Sequence, residues 1–120
     1  MNTVLRLADF RRKQRRIFFS RSELHQLLSI YSRQVARGEW RDYAIDQHEG
    51  AAVFSVFRHT HESPLFTIVK AAPGTGRQGD YAVLQGRSRL ASGAALGEVL
   101  APLVKALGPV MIPLDGGARP

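Results

Sequence analysis

Cysteine is absent from the 120 residues, which excludes disulfides, thiolate metal sites and cysteine nucleophiles together. Also missing is any apolar run approaching the roughly 20 residues of a membrane span, so no transmembrane segment is expected. The start, MNTVLRLADF, is interrupted by Arg6 and Asp9 and lacks the apolar stretch of a secretory signal. The simplest expectation is a cytoplasmic protein; the Arg-rich start also fits an organelle transit peptide. The length suits one domain with a core of its own.

Acids are scarce: 10 Asp and Glu face 17 Lys and Arg, a formal net charge of +7. The excess is concentrated at one end. Residues 1–21 hold seven of the basic groups against Asp9, a net +6, and the other 99 residues net only +1. Any attraction to phosphate or anionic lipid therefore comes mostly from the N-terminal segment and not from a basic face spread over the domain. Residues 1–15 are expected to form a flexible basic arm.

What is present reads as α+β. Ser20 with Glu23 three residues on forms a capping-box signature, and Phe19 and Leu24 stand at the ends of a hydrophobic staple. Leu24, Leu27, Leu28, Tyr31 and Val35 recur at helical spacing, and Gly38 marks a stop, predicting a helix over 21–37. From Trp40 the period changes to two: WRDYAIDQ, AAVFSVFRH and PLFTIVKA read as strands joined by short polar turns. DYAVLQG supplies a fourth strand and SRL a short fifth. Leu96, Val99, Leu100, Leu103, Val104 and Leu107 define a second helix, with Pro102 expected to kink it or delay its start. The expected architecture is helix, four- or five-stranded antiparallel meander, helix, with both helices on one sheet face and the domain running from 16 to 108. Residues 109–120 read as an irregular tail.

Both strand faces are partly apolar. One set holds Val53, Phe57, Leu65 and Val69, the other Phe54, Val56, Phe66 and Ile68. Two helices on one side leave the second face either as a docking or homodimer surface or as the seat of residues 4–10 or 110–114 folding back.

IFFSRSELHQLLSIYSRQVARGEWRDYAID and AVFSVFRHTHESPLFTIVK carry a resemblance to a known family. Over residues 16–107, and most specifically over Gly38–Asp46 and Ala52–Arg58, the chain resembles the domain of unknown function 2794 family, small uncharacterised alphaproteobacterial proteins. The resemblance implies a bacterial cytoplasmic protein and brings no activity or site residue with it.

Several stretches bear on chemistry. GTGRQG, Gly74–Gly79, matches G-x-G-x-x-G, but a strand follows where a dinucleotide site needs a helix, so a flexible hairpin loop is the expectation. His59 and His61 stand two apart with His48 in the preceding turn; a zinc site lacks a convincing third ligand, and solvated loop histidines are expected. Ser55, Ser63 and Ser88 lack a nucleophile context, and Asp42, Asp46 and Glu49 show no pairing. No catalytic residue, metal or cofactor is assigned, and the chain is expected not to be an enzyme. EWRDY places Trp40, Arg41 and Tyr43 at the helix-to-strand corner, either as a recognition patch or as anchors of helix to sheet. Burial of Trp40 argues for the anchor.

Two functions follow as expectations. In the first, Arg11, Arg12, Lys13, Arg15 and Arg16 neutralise phosphates of RNA or DNA without reading sequence. The order of elements is similar to that of the double-stranded-RNA-binding domain, but the second helix carries only Lys105. In the second, the chain is a protein-interaction module or homodimer that uses its spare apolar sheet face.

Overall fold

Ser20 opens the first helix by making both halves of a capping box. In the computed structural model, which describes residues 16–59 and 63–107, the Ser20 hydroxyl accepts the Glu23 N–H at 3.1 Å and the Ser20 N–H donates to Glu23 Oε1 at 2.7 Å. Helix α1 spans Arg21–Ala36 with Arg37 as its C-cap. Gly38 then takes φ of +78°, a left-handed turn open to glycine without strain, and donates to the Val35 carbonyl at 2.9 Å.

The inner stripe of α1 departs from expectation in one place. Leu27 is buried and Leu24, Leu28 and Tyr31 pack beside it, but Val35 is 40% exposed and Gln34 is buried in its stead. Gln34 lies seven residues, two turns, beyond Leu27 and so returns to the same side of the helix. Its carbonyl also receives the Glu39 and Trp40 N–H groups at 2.9 and 3.3 Å as the chain reverses.

Five strands follow: β1 (Asp42–Gln47), β2 (Ala51–Phe57), β3 (Phe66–Ala71), β4 (Tyr81–Gln85) and β5 (Ser88–Gly93). They form one antiparallel sheet in chain order. The fifth strand is six residues long, twice the expected SRL. It pairs with β4 across the two-residue turn Gly86–Arg87, where Gly86 has φ of +60°. Val83 faces Ala91 and Leu84 faces Arg89, so Leu90 is an extra residue that bulges the edge strand.

Register decides the two sides. Ile45, Phe54, Ile68, Val83 and Ala91 are successive cross-strand neighbours, and Tyr43, Val56 and Phe66 form the next row on the same inner face. Helix α2 (Leu96–Leu107) lays Leu96, Val99, Leu100 and Leu103 into one cluster with Phe54, Ile68 and Val83 from the sheet, Leu27 from α1, and Ile17, Phe19 and Trp40. Both helices thus share the inner face, and each large apolar side chain buried there contributes roughly 1.5–3 kcal/mol. Leu65, grouped by alternation with the other side, lies just outside β3 and packs against this core.

Pro102 neither ends nor delays α2. It is exposed, and the carbonyl that loses a donor to its missing N–H belongs to Glu98, also exposed. Glu98 serves the helix start as well, its Oε1 accepting the Ala94 and Ala95 N–H groups at 2.8 and 3.1 Å. The expected covering segments 4–10 and 110–114, the arm 1–15 and the tail 109–120 lie outside the described residues.

Candidate interaction surface

The outer sheet face is built by the residues that alternate with the core. Asp46, Val53, Val69, Ala82 and Ser92 form one cross-strand row, and Ala44, Ser55, Thr67, Leu84 and Arg89 form the next. Asp42 pairs with Phe57 beyond them. Among the described residues both helices lie on the opposite side, so no helix covers this face. Its centre sets half-buried Val53, Phe57, Val69, Ala82 and Leu84 around half-buried Thr67 and buried Ser55; its β1 edge is acidic through exposed Asp42 and Asp46. Its β5 edge is basic. Arg77 and Arg89 line a cavity of about 280 Å³ there, together with Val69, Ala71 and Ala82.

The Gly74–Gly79 loop walls this cavity and is a hairpin connection, as its flanking strands require. Asp80 accepts the Gly74 and Gly76 N–H groups at 2.9 and 3.0 Å, and Thr75 Oγ1 donates to the Ala72 carbonyl at 2.7 Å. Those backbone bonds, Gly74 foremost, hold the Asp80 carboxyl below its ordinary value. Gly79, at φ of +105°, sits against β5 so closely that a Cβ would fall 2.2 Å from the Gly93 carbonyl.

The corner Trp40–Arg41–Tyr43 divides. Trp40 is 4% exposed and packs tilted against Tyr31 and Phe66, with ring centroids 6.3 and 6.1 Å away. Tyr43 is 39% exposed, stacks on Phe54 at 5.3 Å and meets Tyr31 edge-on at 4.8 Å. The aromatics therefore anchor α1 to the sheet. Arg41 is exposed and borders a cleft of about 390 Å³ with Val35, Gly38, Trp40, Arg58 and His59. Glu39 pairs with Arg58 at 3.3 Å beside it.

Of the proposed phosphate contacts, Arg11, Arg12, Lys13 and Arg15 lie outside the described residues. Arg16 is exposed and donates to the Gln47 carbonyl at 3.1 Å, while the Ile17 N–H donates to the His48 carbonyl at 2.8 Å. The chain is thus tied to the β1–β2 turn from Arg16 onward. His48 and His59 are both exposed, and His61 lies outside the described residues. Among the described residues no three His, Asp or Glu side chains gather as a metal site requires. No described helix is long and apolar enough to cross a membrane.

One polar cluster escaped the sequence reading. Lys70 points inward from β3, its Nζ donating to Glu23 Oε1 at 2.8 Å and to the Phe18 carbonyl at 2.7 Å, and the Tyr81 hydroxyl bonds Glu23 Oε2. Burial alone would raise the Glu23 carboxyl; the bonds from Lys70, Tyr81 and the Ser20 N–H, with the Lys70 charge, outweigh it and hold the group below its ordinary value. Burial and the Glu23 charge push Tyr81 up to about 12. The available signal was parity: Lys70 alternates in step with Phe66 and Ile68.

These features define a small α+β domain whose meander sheet buries one face beneath two helices and presents the other. The chain belongs to the family described as Protein of unknown function (DUF2794), whose model matches residues 17–100. No curated protein and no solved structure matches the chain.

Proposed function

We propose that this chain is a non-enzymatic, cytoplasmic protein-interaction module that docks a protein partner on its outer sheet face. The observation that carries the reading is the row Val53, Val69 and Ala82 with Phe57 and Leu84 beside it, apolar side chains on the side away from both helices. Contiguous apolar surface of this kind marks interaction sites.

The test is differential. Val69→Glu and Leu84→Glu should each cost no more than about 1 kcal/mol of unfolding free energy, the span of strand preferences at a half-buried position, while abolishing binding of an apolar fluorescent dye to the folded protein. Losses of several kcal/mol would show that this face is core and end the reading.

A second reading rests on the net +6 of residues 1–21. Five phosphate contacts by Arg11, Arg12, Lys13, Arg15 and Arg16 give a salt slope of about −4 to −5 for duplex DNA. A chain beginning at Ile17 should then lose that binding. Equal binding by the shortened chain, or none by the full chain at low salt, would remove the arm from consideration.

A further inference from the structure

We infer that the partner on the outer sheet face is a second copy of this chain, packed sheet on sheet about a two-fold axis that runs along the strands. The inference rests on the docking reading above and adds the identity and register of the occupant.

Charge complementarity selects the arrangement. The acidic edge, Asp42 and Asp46, and the basic edge, Arg89 with Arg77, lie at opposite sides of one face. A two-fold across the strands would set β1 on β1 and β5 on β5, acid on acid and base on base. A two-fold along the strands sets β1 on β5 of the second copy, β2 on its β4, and β3 on itself. The contact is then isologous and closed, and like-charge juxtaposition is avoided at both edges.

Register sharpens the match. Arg89 belongs to the row that ends at Ala44 on β1. The same operation brings Arg89 opposite Ala44 of the second copy, midway between its Asp42 and Asp46, each about 6.6 Å away along the strand. Sheets stacked face to face lie about 10 Å apart, a gap that a long arginine from one side spans to a carboxylate on the other. In the centre Leu84 falls over Ser55 and Val53 over Ala82, large on small, with Thr67 and Val69 meeting their own counterparts.

Area sets the strength. Five strands of about six residues give a face of roughly 450 Å² per copy, about 900 Å² for the pair, below the range of stable interfaces and in that of weak, transient ones. The association is therefore reversible and concentration-dependent.

The experiment uses the full chain at about 1 to 200 µM in sedimentation velocity, with Arg89→Asp and Asp46→Arg as variants. The parent should shift from monomer to dimer over that range, and each variant alone should weaken self-association about tenfold or more. An equimolar mixture of the two variants should recover most of the lost association: one edge of the mixed dimer keeps Arg89 against Asp42 and Asp46, and at the other the introduced aspartate meets the introduced arginine with Asp42 alone left against it. Recovery on mixing is not produced by misfolding, so it separates the contact from a loss of structure. Monomer at every concentration, or no recovery on mixing, overturns the inference.

Because the chain has no native cysteine, Val69→Cys reports which reading has failed. A thiol that a maleimide labels as fast as an exposed one in a monomeric chain leaves the docking reading standing with a different partner. A protected thiol in a monomeric chain means that the chain's own terminal segments cover the face, and both readings fall.

Discussion

Replacing Phe54 with alanine should lower the unfolding free energy by about 3–5 kcal/mol, measured by urea denaturation monitored at Trp40. Phe54 is 1% exposed at the centre of the inner face, flanked by Ile45 and Ile68, and the Tyr43 ring stacks on it at 5.3 Å. Truncation forfeits the transfer term of the ring and leaves a cavity between sheet and helices that only partial collapse can fill. Tyr43 also loses its stacking surface. For a domain of this size such a loss is a large part of total stability. The contrast with Val69, one residue beyond Ile68 on β3, is the point of the comparison. Val69→Ala should cost well under half as much, because its side chain leaves the sheet on the opposite side. Equal losses would mean that both faces are core.

The second large effect is expected at Glu23. Glu23→Ala removes the carboxylate that closes the capping box, pairs with Lys70 and accepts the Tyr81 hydroxyl, and should cost about 2–3 kcal/mol. The Lys70 and Glu23 side chains are only 20% and 13% exposed, so the lysine left behind has little water to replace its partner. Lys70→Met should be milder than Glu23→Ala, since Tyr81 and Ser20 still serve the carboxylate.

The same cluster makes stability depend on pH at both ends. Glu23 titrates below its ordinary 4.5 in the folded chain, so its contribution is fully present above about pH 4.5 and is lost as pH falls through the lowered folded value. Tyr81 titrates at about 12 instead of 10.0, so its contribution is fully present below pH 10 and is lost as pH rises through 12. Glu23→Gln should flatten the acid limb, and Tyr81→Phe the alkaline one, in unfolding curves taken across pH. An unchanged acid limb in Glu23→Gln would place the titration elsewhere.

Much of the fold was legible because its signals are local. The Ser20–Glu23 box, the glycine after α1 and the switch from period 3.6 to period two all act within a few residues, and each element formed where they point. Boundaries moved where packing intervened. Gln34 displaced Val35 because two full turns return it to the Leu27 side, and β5 doubled in length because pairing with β4 recruits residues of little strand character. Pro102 sits within α2 because that part of the helix is exposed. The site was less legible. Trp40, Arg41 and Tyr43 lie within four residues of chain, yet Trp40 is core and Arg41 is surface.

By itself, then, the sequence determined the order of elements, the helix caps, the exclusion of thiol chemistry and the concentration of basic charge before residue 21. Only the tertiary structure decided which apolar strand set faces the helices, since Val53, Phe57 and Val69 satisfy a period of two as well as Phe54, Val56 and Ile68 do. Only it could pair Glu23 with Lys70 and Tyr81, or set Asp42 and Asp46 on one edge of a face and Arg89 on the other. Those relations are created by strand register, and register is a long-range property that no short stretch of chain encodes.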